Sequence, residues 1–284
     1  MNTLKHPGRR YTIEEKSKII ELYTSGIPST KIAQELDMSF WSVLDNLKRQ
    51  GILIKNSSDA HRKYTLDENV FSTINEESAY WVGFLMADGC VQLQTRGTNP
   101  KTSLELSAID LKHIEKFAFF LKSNSPIITC KERINKFNND IYKSQQSHKI
   151  DIFSKTIFES LSKYGVVPNK SLTAKVSDDL AFNKNFWRGV IDGDGSVLLV
   201  RNKIYLRPVI QLTGSQMLIQ QFHDFVKSKI PNFKVNVGLI KNKNNYRLNI
   251  VAKKQVLQML DLLYTDATVY LDRKYKKAMQ ILNT

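Results

Sequence analysis

Between Thr12 and Ser25 the apolar residues Ile13, Ile19, Ile20, Leu22 and Tyr23 recur at helical spacing. Thr12 and Glu15 add a capping-box pattern, so a first helix is expected there. The following "GIPSTKIAQELDMSFWSVLDNLKRQGI" predicts a short helix from about Ser29 to Leu36 and a tight turn at Asp37 and Met38. A third helix is capped by Ser39 and ends near Gly51. Polar, irregular "KNSSDAHRKYTLDEN" then reads as a linker.

Beyond the linker the pattern repeats. An apolar helix, "YWVGFLMADG", leads into strand-like "CVQLQTR" and "TSLELSAI", a helix "DLKHIEKFAFFLKS", strand-like "IITCKERI" and "HKIDIFS", and a helix "KTIFESLSKYG". From "FWRGVIDGDG" the same order returns through "SVLLVRN", "LRPVIQLTG", "SQMLIQQFHDFVKSK", "KVNVGLI", "YRLNIVA" and "KKQVLQMLDLLY". Each copy closes on a basic signature, "VPNKSLTA" and "LDRKYKKA". The intervals from Asp88 to Lys170 and from Asp194 to Lys274 differ by only two residues. A duplicated α+β unit accounts for this. The expected organisation is a small all-α domain over 1–60, a linker over 61–75, and two pseudo-symmetric αββαββα repeats over 76–176 and 177–284.

Composition narrows the function. Lys and Arg number 42 against 27 acidic residues, a net charge of +15, the footprint of a polyanion binder with nucleic acid as leading partner. No apolar run reaches the length of a spanning helix and no signal segment opens the chain, so no membrane contact is expected. An intracellular protein, cytoplasmic or nucleoid-associated, is expected instead. Cys90 and Cys130 lack disulfide or zinc spacing and read as plain buried thiols. The scattered histidines give a zinc hydrolase little support. Any chemistry should rest on carboxylates and lysines.

The two nonamers from Trp81 to Gly89, "WVGFLMADG", and from Trp187 to Gly195, "WRGVIDGDG", resemble the motifs of the LAGLIDADG homing endonucleases of the single-chain, two-repeat type. The amino-terminal helices resemble helix-turn-helix domains, with Ala33 at the small-residue position and Asp37 where glycine is usual. The first resemblance implies a DNA-binding saddle in which the motif helices pack side by side, Gly83 and Gly189 allowing close approach. It also implies Mg²⁺ held by Asp88 and Asp194 with the carbonyls of Ala87 and Gly193, and hydrolysis of one phosphodiester on each strand. Lys170 and Lys274 fall where the family keeps a basic residue near the reacting water, with Arg273 or Lys276 able to share that task. Met86 stands where the second copy has Asp192; because the resemblance puts the metal ligand at the eighth motif position, Asp192 is read as mainly a structural cap and Met86 as tolerated.

Double-stranded DNA is thus the implied partner, bound by a monomer, with intron RNA as a further partner. Strand residues able to bond base edges or phosphates are Gln92, Gln94, Arg96 and Lys101 in the first repeat. The second repeat offers Arg201, Lys203, Arg207, Gln211, Lys241, Lys243, Tyr246 and Arg247. From the third helix, Ser39, Ser42, Asn46, Lys48 and Arg49 would face a groove or phosphates. A non-cleaving regulator and an intron RNA maturase on the same fold are the alternatives.

Overall fold

A computed structural model of the chain describes residues 11–52, 54, 63–94, 99–137, 140–202, 205–233, 238–239 and 245–284. The chain divides into two compact units, Met1–Lys63 and Tyr64–Thr284. Among the described residues no helix is long and apolar enough to cross a membrane.

The first unit contains helices Ile13–Thr24, Ser29–Glu35 and Phe40–Arg49. The Thr12–Glu15 capping box forms on both sides, and Ile19, Leu22, Ile32, Ala33, Val43 and Leu47 make a small closed core. Asp37 takes a left-handed φ of 47°, a conformation that Asp tolerates better than most side chains, so glycine is dispensable at this turn. Three of the expected groove residues are engaged within the unit. The Ser39 hydroxyl accepts from the Ser42 amide at 3.0 Å and lies 2.8 Å from the Ser42 hydroxyl. Asn46 is buried and donates to the Ser42 carbonyl at 2.9 Å. The exposed face carries Phe40, Trp41, Asp45, Lys48 and Arg49 instead, with Arg49 paired to Asp45 at 2.9 Å.

The second unit is the expected α+β duplication. The first motif helix, Glu76–Ala87, is capped by Asn75, and the second, Lys184–Gly193, by Asn183. Antiparallel strands follow each. In the first repeat these are β1 Gly89–Gln92, β2 Lys101–Ser107, β3 Ile128–Cys130, β4 Arg133–Phe137, β5 Asp140–Ser144 and β6 Ser147–Phe153. The second has β7 Ser196–Asn202, β8 Tyr205–Gly214, β9 Gly238–Leu239 and β10 Tyr246–Ile250. The sheets run β1-β2-β6-β3 and β7-β8-β10-β9, the same order twice.

The aromatic packing is duplicated too. Trp81 packs on Phe117 and Phe120 with ring centroids 4.9 and 6.1 Å away, and Trp187 packs on Phe222 and Phe225 at 5.0 and 5.9 Å. Each tryptophan therefore anchors its motif helix to the helix behind its own sheet, where the family name has leucine.

Three features depart from the expectation. The β4–β5 hairpin interrupts the first repeat, because "IITCKERI" is two strands rather than one. Residues 64–75, counted as linker from their polarity, belong to the second unit. Phe71 is fully buried against Phe120 at 5.3 Å, and Asp67 pairs with Lys122 at 2.9 Å. Finally, Cys90 is exposed and Cys130 half-buried, so neither is a buried thiol.

Candidate active site at the paired helix ends

The motif helices approach as closely as backbones allow. A methyl placed on Gly83 would lie 2.0 Å from the Phe186 carbonyl oxygen, and one on Gly189 would lie 2.1 Å from that of Tyr80. The helices then end together. Asp88 and Asp194 are their C-cap residues with nearly identical backbones, φ −95° and −88°, and their amides donate to Phe84 and Val190 carbonyls. Gly193 completes the junction, since a methyl there would stand 2.3 Å from the Ala87 methyl and 3.3 Å from an Asp88 carboxylate oxygen.

Both carboxylates are open to solvent, yet the protein crowded around them penalises their charge. That crowding, with the Asp194 charge beside it, pushes the Asp88 carboxyl up to about 6, against the opposing pull of Lys274, Arg273 and Lys170. Asp194 is raised by the same crowding, opposed by Lys274 and Lys170. Two clefts flank Asp194. One of about 390 Å³ is lined by Met86, Ala87, Lys170, Thr213 and Ser215 among others. The second, about 550 Å³, is lined by residues including Ser196, Leu198, Arg273, Lys274 and Lys277.

The two lysines differ in how they are held. Lys274, on the helix Asp272–Leu282, donates to the carbonyls of Ile191 at 2.7 Å, Gly193 at 3.0 Å and Gly195 at 2.6 Å. It thereby gathers three carbonyls at and just beyond the end of the second motif helix, of which Ile191 also accepts from the Gly195 amide, and sets a positive charge where the helix dipole is negative. Burial lowers its pKa to about 8, which the carboxylates counteract. Lys170 sits on a single 3₁₀ turn, Lys170–Leu172, and donates to the Gly89 carbonyl. Burial lowers its pKa as well.

Asp192 is not a cap of its own helix. It is fully buried and accepts from the Tyr80 hydroxyl at 2.8 Å, the Tyr264 hydroxyl at 2.7 Å and the Leu271 amide at 2.7 Å. It therefore ties the second motif helix to the first and to the corner that leads into Lys274. Arg188, at the position of the family's first alanine, is also fully buried. It donates to the Val269 carbonyl at 2.9 Å and the Leu263 carbonyl at 3.1 Å.

For a divalent cation the donor set is of the right kind. Among the described residues no three His, Cys, Asp or Glu side chains converge to enclose a metal. Two carboxylates and the Ala87 carbonyl would hold Mg²⁺ only partly, leaving positions for water and a phosphate, as that ion prefers. The Gly193 carbonyl already accepts from Lys274.

The sheets sort the remaining residues by which face they occupy. Gln92 pairs with Lys101 on the outer face of the first sheet, and Gln94 follows exposed. On the second sheet Gln211 lies between Ser196 and Asn249, Arg247 opposes Thr213, and Arg207 opposes Val200. Arg207 is exposed and donates to the Val251 carbonyl at 2.9 Å. Tyr246, by contrast, packs on the core, and Arg201 shares the strand parity of buried Val197. Strand alternation counted from the core assigns both to the inner parity, yet at the strand end, opposite exposed Leu206, Arg201 is itself exposed. Arg96, Lys203, Lys241 and Lys243 lie outside the described residues. Outer-face residues that polarity missed include Leu198, Val200, Tyr205 and Val209 on the second sheet and Phe153 and Ile128 on the first.

No protein-family model matches the chain, and no curated protein matches it in sequence. Among solved structures, its fold is that of the LAGLIDADG homing endonucleases. The chain is similar to the homing endonuclease I-WcaI bound to its DNA recognition sequence, at 15% identity and a TM-score of 0.55 over 80% of this chain and 97% of that one. It is also similar to the meganuclease I-SmaMI bound to an uncleavable DNA, at 13% identity and a TM-score of 0.51 over 74% of this chain and 88% of that one.

Proposed function

We propose that the chain is a monomeric, site-specific DNA endonuclease that hydrolyses one phosphodiester on each strand of a long target, using Mg²⁺ at Asp88 and Asp194. The observation that carries this reading is the meeting of two C-capping aspartates at one point, on a fold whose solved relatives are bound to DNA. Two carboxylates at two negative helix ends are mutually unfavourable without a cation; burial raises both their pKa values, and the Asp194 charge adds to the rise at Asp88. Bound there, Mg²⁺ would supply charge neutralisation for the phosphate and acidify a water.

The protein's own groups divide the rest of the work. Lys170 spends one hydrogen bond on Gly89 among the described residues, which leaves ammonium donors for a phosphate oxygen in the adjoining cleft. Lys274 fixes the end of the second motif helix and so the aim of Asp194. Arg273, half-exposed and held by Asp110 at 3.0 Å, lines the second cleft and is placed to receive a phosphate. The outer faces of the two sheets would lie on the major groove, with Gln92, Lys101, Arg207, Gln211 and Arg247 toward the bases and phosphates. The first unit would act as a tethered helix-turn-helix clamp, raising effective concentration at the target. Its exposed contacts would come from Trp41, Lys48 and Arg49.

The test is cleavage of a plasmid library carrying randomised inserts, with Mg²⁺ or EDTA, by wild type and by Asp88→Asn/Asp194→Asn. Linear product from wild type with Mg²⁺ alone is expected. Undiminished cutting by the double variant would sink the assignment of the two acids.

A further inference from the structure

The outer faces of the two sheets start at equivalent points and then diverge. Gln92 and Gln94 follow Asp88 at the positions that Leu198 and Val200 hold after Asp194. Lys101 opposes Gln92 across the first sheet, where Val209 opposes Leu198 across the second. At these three positions the second repeat thus sets Leu198, Val200 and Val209 where the first has Gln92, Gln94 and Lys101; the exposed apolar residues of the first outer face, Phe153 opposite Lys101 and Ile128, stand instead on β6 and β3, away from the strand that follows Asp88. Leu198 and Val200 are 43% and 45% exposed, an unusual state for aliphatic residues on adjacent outward positions of one strand.

The surroundings indicate what covers this strip. Leu198 lines the same cleft as Asp194, Arg273, Lys274 and Lys277, so the apolar surface is continuous with the candidate site and edged by cations. Arg207 stands opposite Val200, and Gln211 and Asn249 continue the same face toward Asp194. An apolar strip framed by arginine and by amide side chains matches the major-groove edge of A·T pairs. There the thymine C5-methyl offers the only apolar feature, and adenine offers the edge that Asn and Gln bond. A protein partner would not require the cationic border or the continuity with the acids.

We propose that Leu198, Val200 and Val209 read thymine methyl groups in the half of the target bound by the second repeat. The first repeat, with Gln92, Gln94 and Lys101, reads hydrogen-bonding edges. This rests on the endonuclease reading above and adds to it an asymmetric base preference. Thymines are favoured in the second half-site close to the cleavage position, because Leu198 lies only four residues after Asp194.

The test uses duplexes recovered by wild-type binding from a randomised library, with Ca²⁺ in place of Mg²⁺ to prevent cutting. Thymine is then replaced by uracil in one half at a time, which removes the methyl and leaves every hydrogen-bonding edge. Each buried methyl lost should weaken binding about fourfold, so two or three contacts give roughly fifteen- to sixtyfold in one half and little in the other. In Leu198→Gln/Val200→Gln, exposed changes that leave the core intact, the uracil effect in that half should disappear. Uracil indifference in both halves, or an effect the double variant does not alter, would overturn the inference while leaving the endonuclease reading standing. Uracil indifference with self-association that the double variant abolishes would assign the strip to a second copy instead. Enrichment of no duplex at all would overturn both readings together.

Discussion

Adding a single methyl at either motif glycine should separate the helices on which the site is built. In Gly83→Ala the new Cβ would sit 2.0 Å from the Phe186 carbonyl oxygen and 3.1 Å from the Val190 amide nitrogen. In Gly189→Ala it would sit 2.1 Å from the Tyr80 carbonyl oxygen and 2.7 Å from the Phe84 amide nitrogen. The obstacles are backbone atoms of the facing helix, so no rotamer change relieves them. Reaching an ordinary contact of 3.4 Å requires the helices to part by about 1.4 Å along that line. Alanine gains about 1 kcal/mol over glycine in helix propensity. Overpacking into a rigid neighbour typically costs about 1–3 kcal/mol, and more where backbone must move. The clash wins, and each variant should lose about 2 kcal/mol or more of stability.

Urea denaturation followed by tryptophan fluorescence measures this in the right unit. Trp81 and Trp187 lie on the motif helices and are fully buried, whereas Trp41 in the first unit is exposed. The expected result is a lower midpoint with an unchanged slope and a thermal midpoint reduced by roughly 4–8 °C. The double variant should cost less than the two singles combined, since helices already parted by one methyl accommodate the second more cheaply. DNA cleavage should fall more steeply than DNA binding, because the same separation pulls Asp88 from Asp194. Stability within about 0.5 kcal/mol of wild type in either variant would refute the close backbone approach.

Asp192→Ala orphans three buried donors at about 1–3 kcal/mol each, so a loss of at least about 3 kcal/mol is expected in urea. Asp192→Asn should recover part of it, because its oxygen can serve Tyr80 and Leu271 while its amide donates to the Tyr264 hydroxyl; equal losses would contradict the network. Lys274→Met should destabilise the fold clearly more than Lys170→Met, since three carbonyls lose a donor in one case and one in the other. Matched unfolding midpoints would reject that difference. His113 is buried beside the Tyr80 hydroxyl, and burial, helped by Lys116, lowers its pKa to about 3. Below its ordinary value of 6.5 the unfolded chain binds the proton and the folded chain does not, so this contribution to stability falls as pH drops from 6.5 toward 3. Relative to His113→Gln, wild type should therefore lose up to about 1.4 kcal/mol per pH unit in that window, and parallel stability-pH curves would dismiss the effect.

The motif helices, the order of elements along each repeat and the Asp-Gly ends were legible because each rests on local pattern repeated twice: an apolar run, an Asp-Gly end, alternating strands. The residues that were misplaced share a different physics. Asn46 and Tyr246 are polar-capable side chains whose burial is settled by neighbours in space, and a polar type says nothing of which way its Cβ points. Phe71 lay inside a stretch polar enough to read as linker, and its partner Phe120 is remote in sequence. The hairpin at β4–β5 was hidden because Lys131 and Glu132 extend a strand pattern as plausibly as they turn it. Asp192 was visible as an odd acid, but its three donors come from Tyr80, Tyr264 and Leu271, and no periodicity links those positions.

The pattern of kept and lost symmetry follows from where the two halves meet. On the shared axis any change in one helix is felt by the other, and there the copies agree: Gly83 with Gly189, Asp88 with Asp194. Away from it each half answers only to its own surroundings. A buried carboxylate at the sixth motif position is tolerable only where several donors converge. The second half supplies them through Tyr264 and the Leu271 amide, with Tyr80 reaching across. At the equivalent position of the first half Met86 is buried with its terminal methyl beside Gly165, a site that an apolar side chain fills and a charge would not. The same freedom acts on the outer sheet faces, where nothing in the fold requires Gln92 and Leu198 to match. If the strip at Leu198 reads methyl groups, its divergence from Gln92 is what allows one chain, folded on a near-twofold plan, to recognise a target with no twofold symmetry.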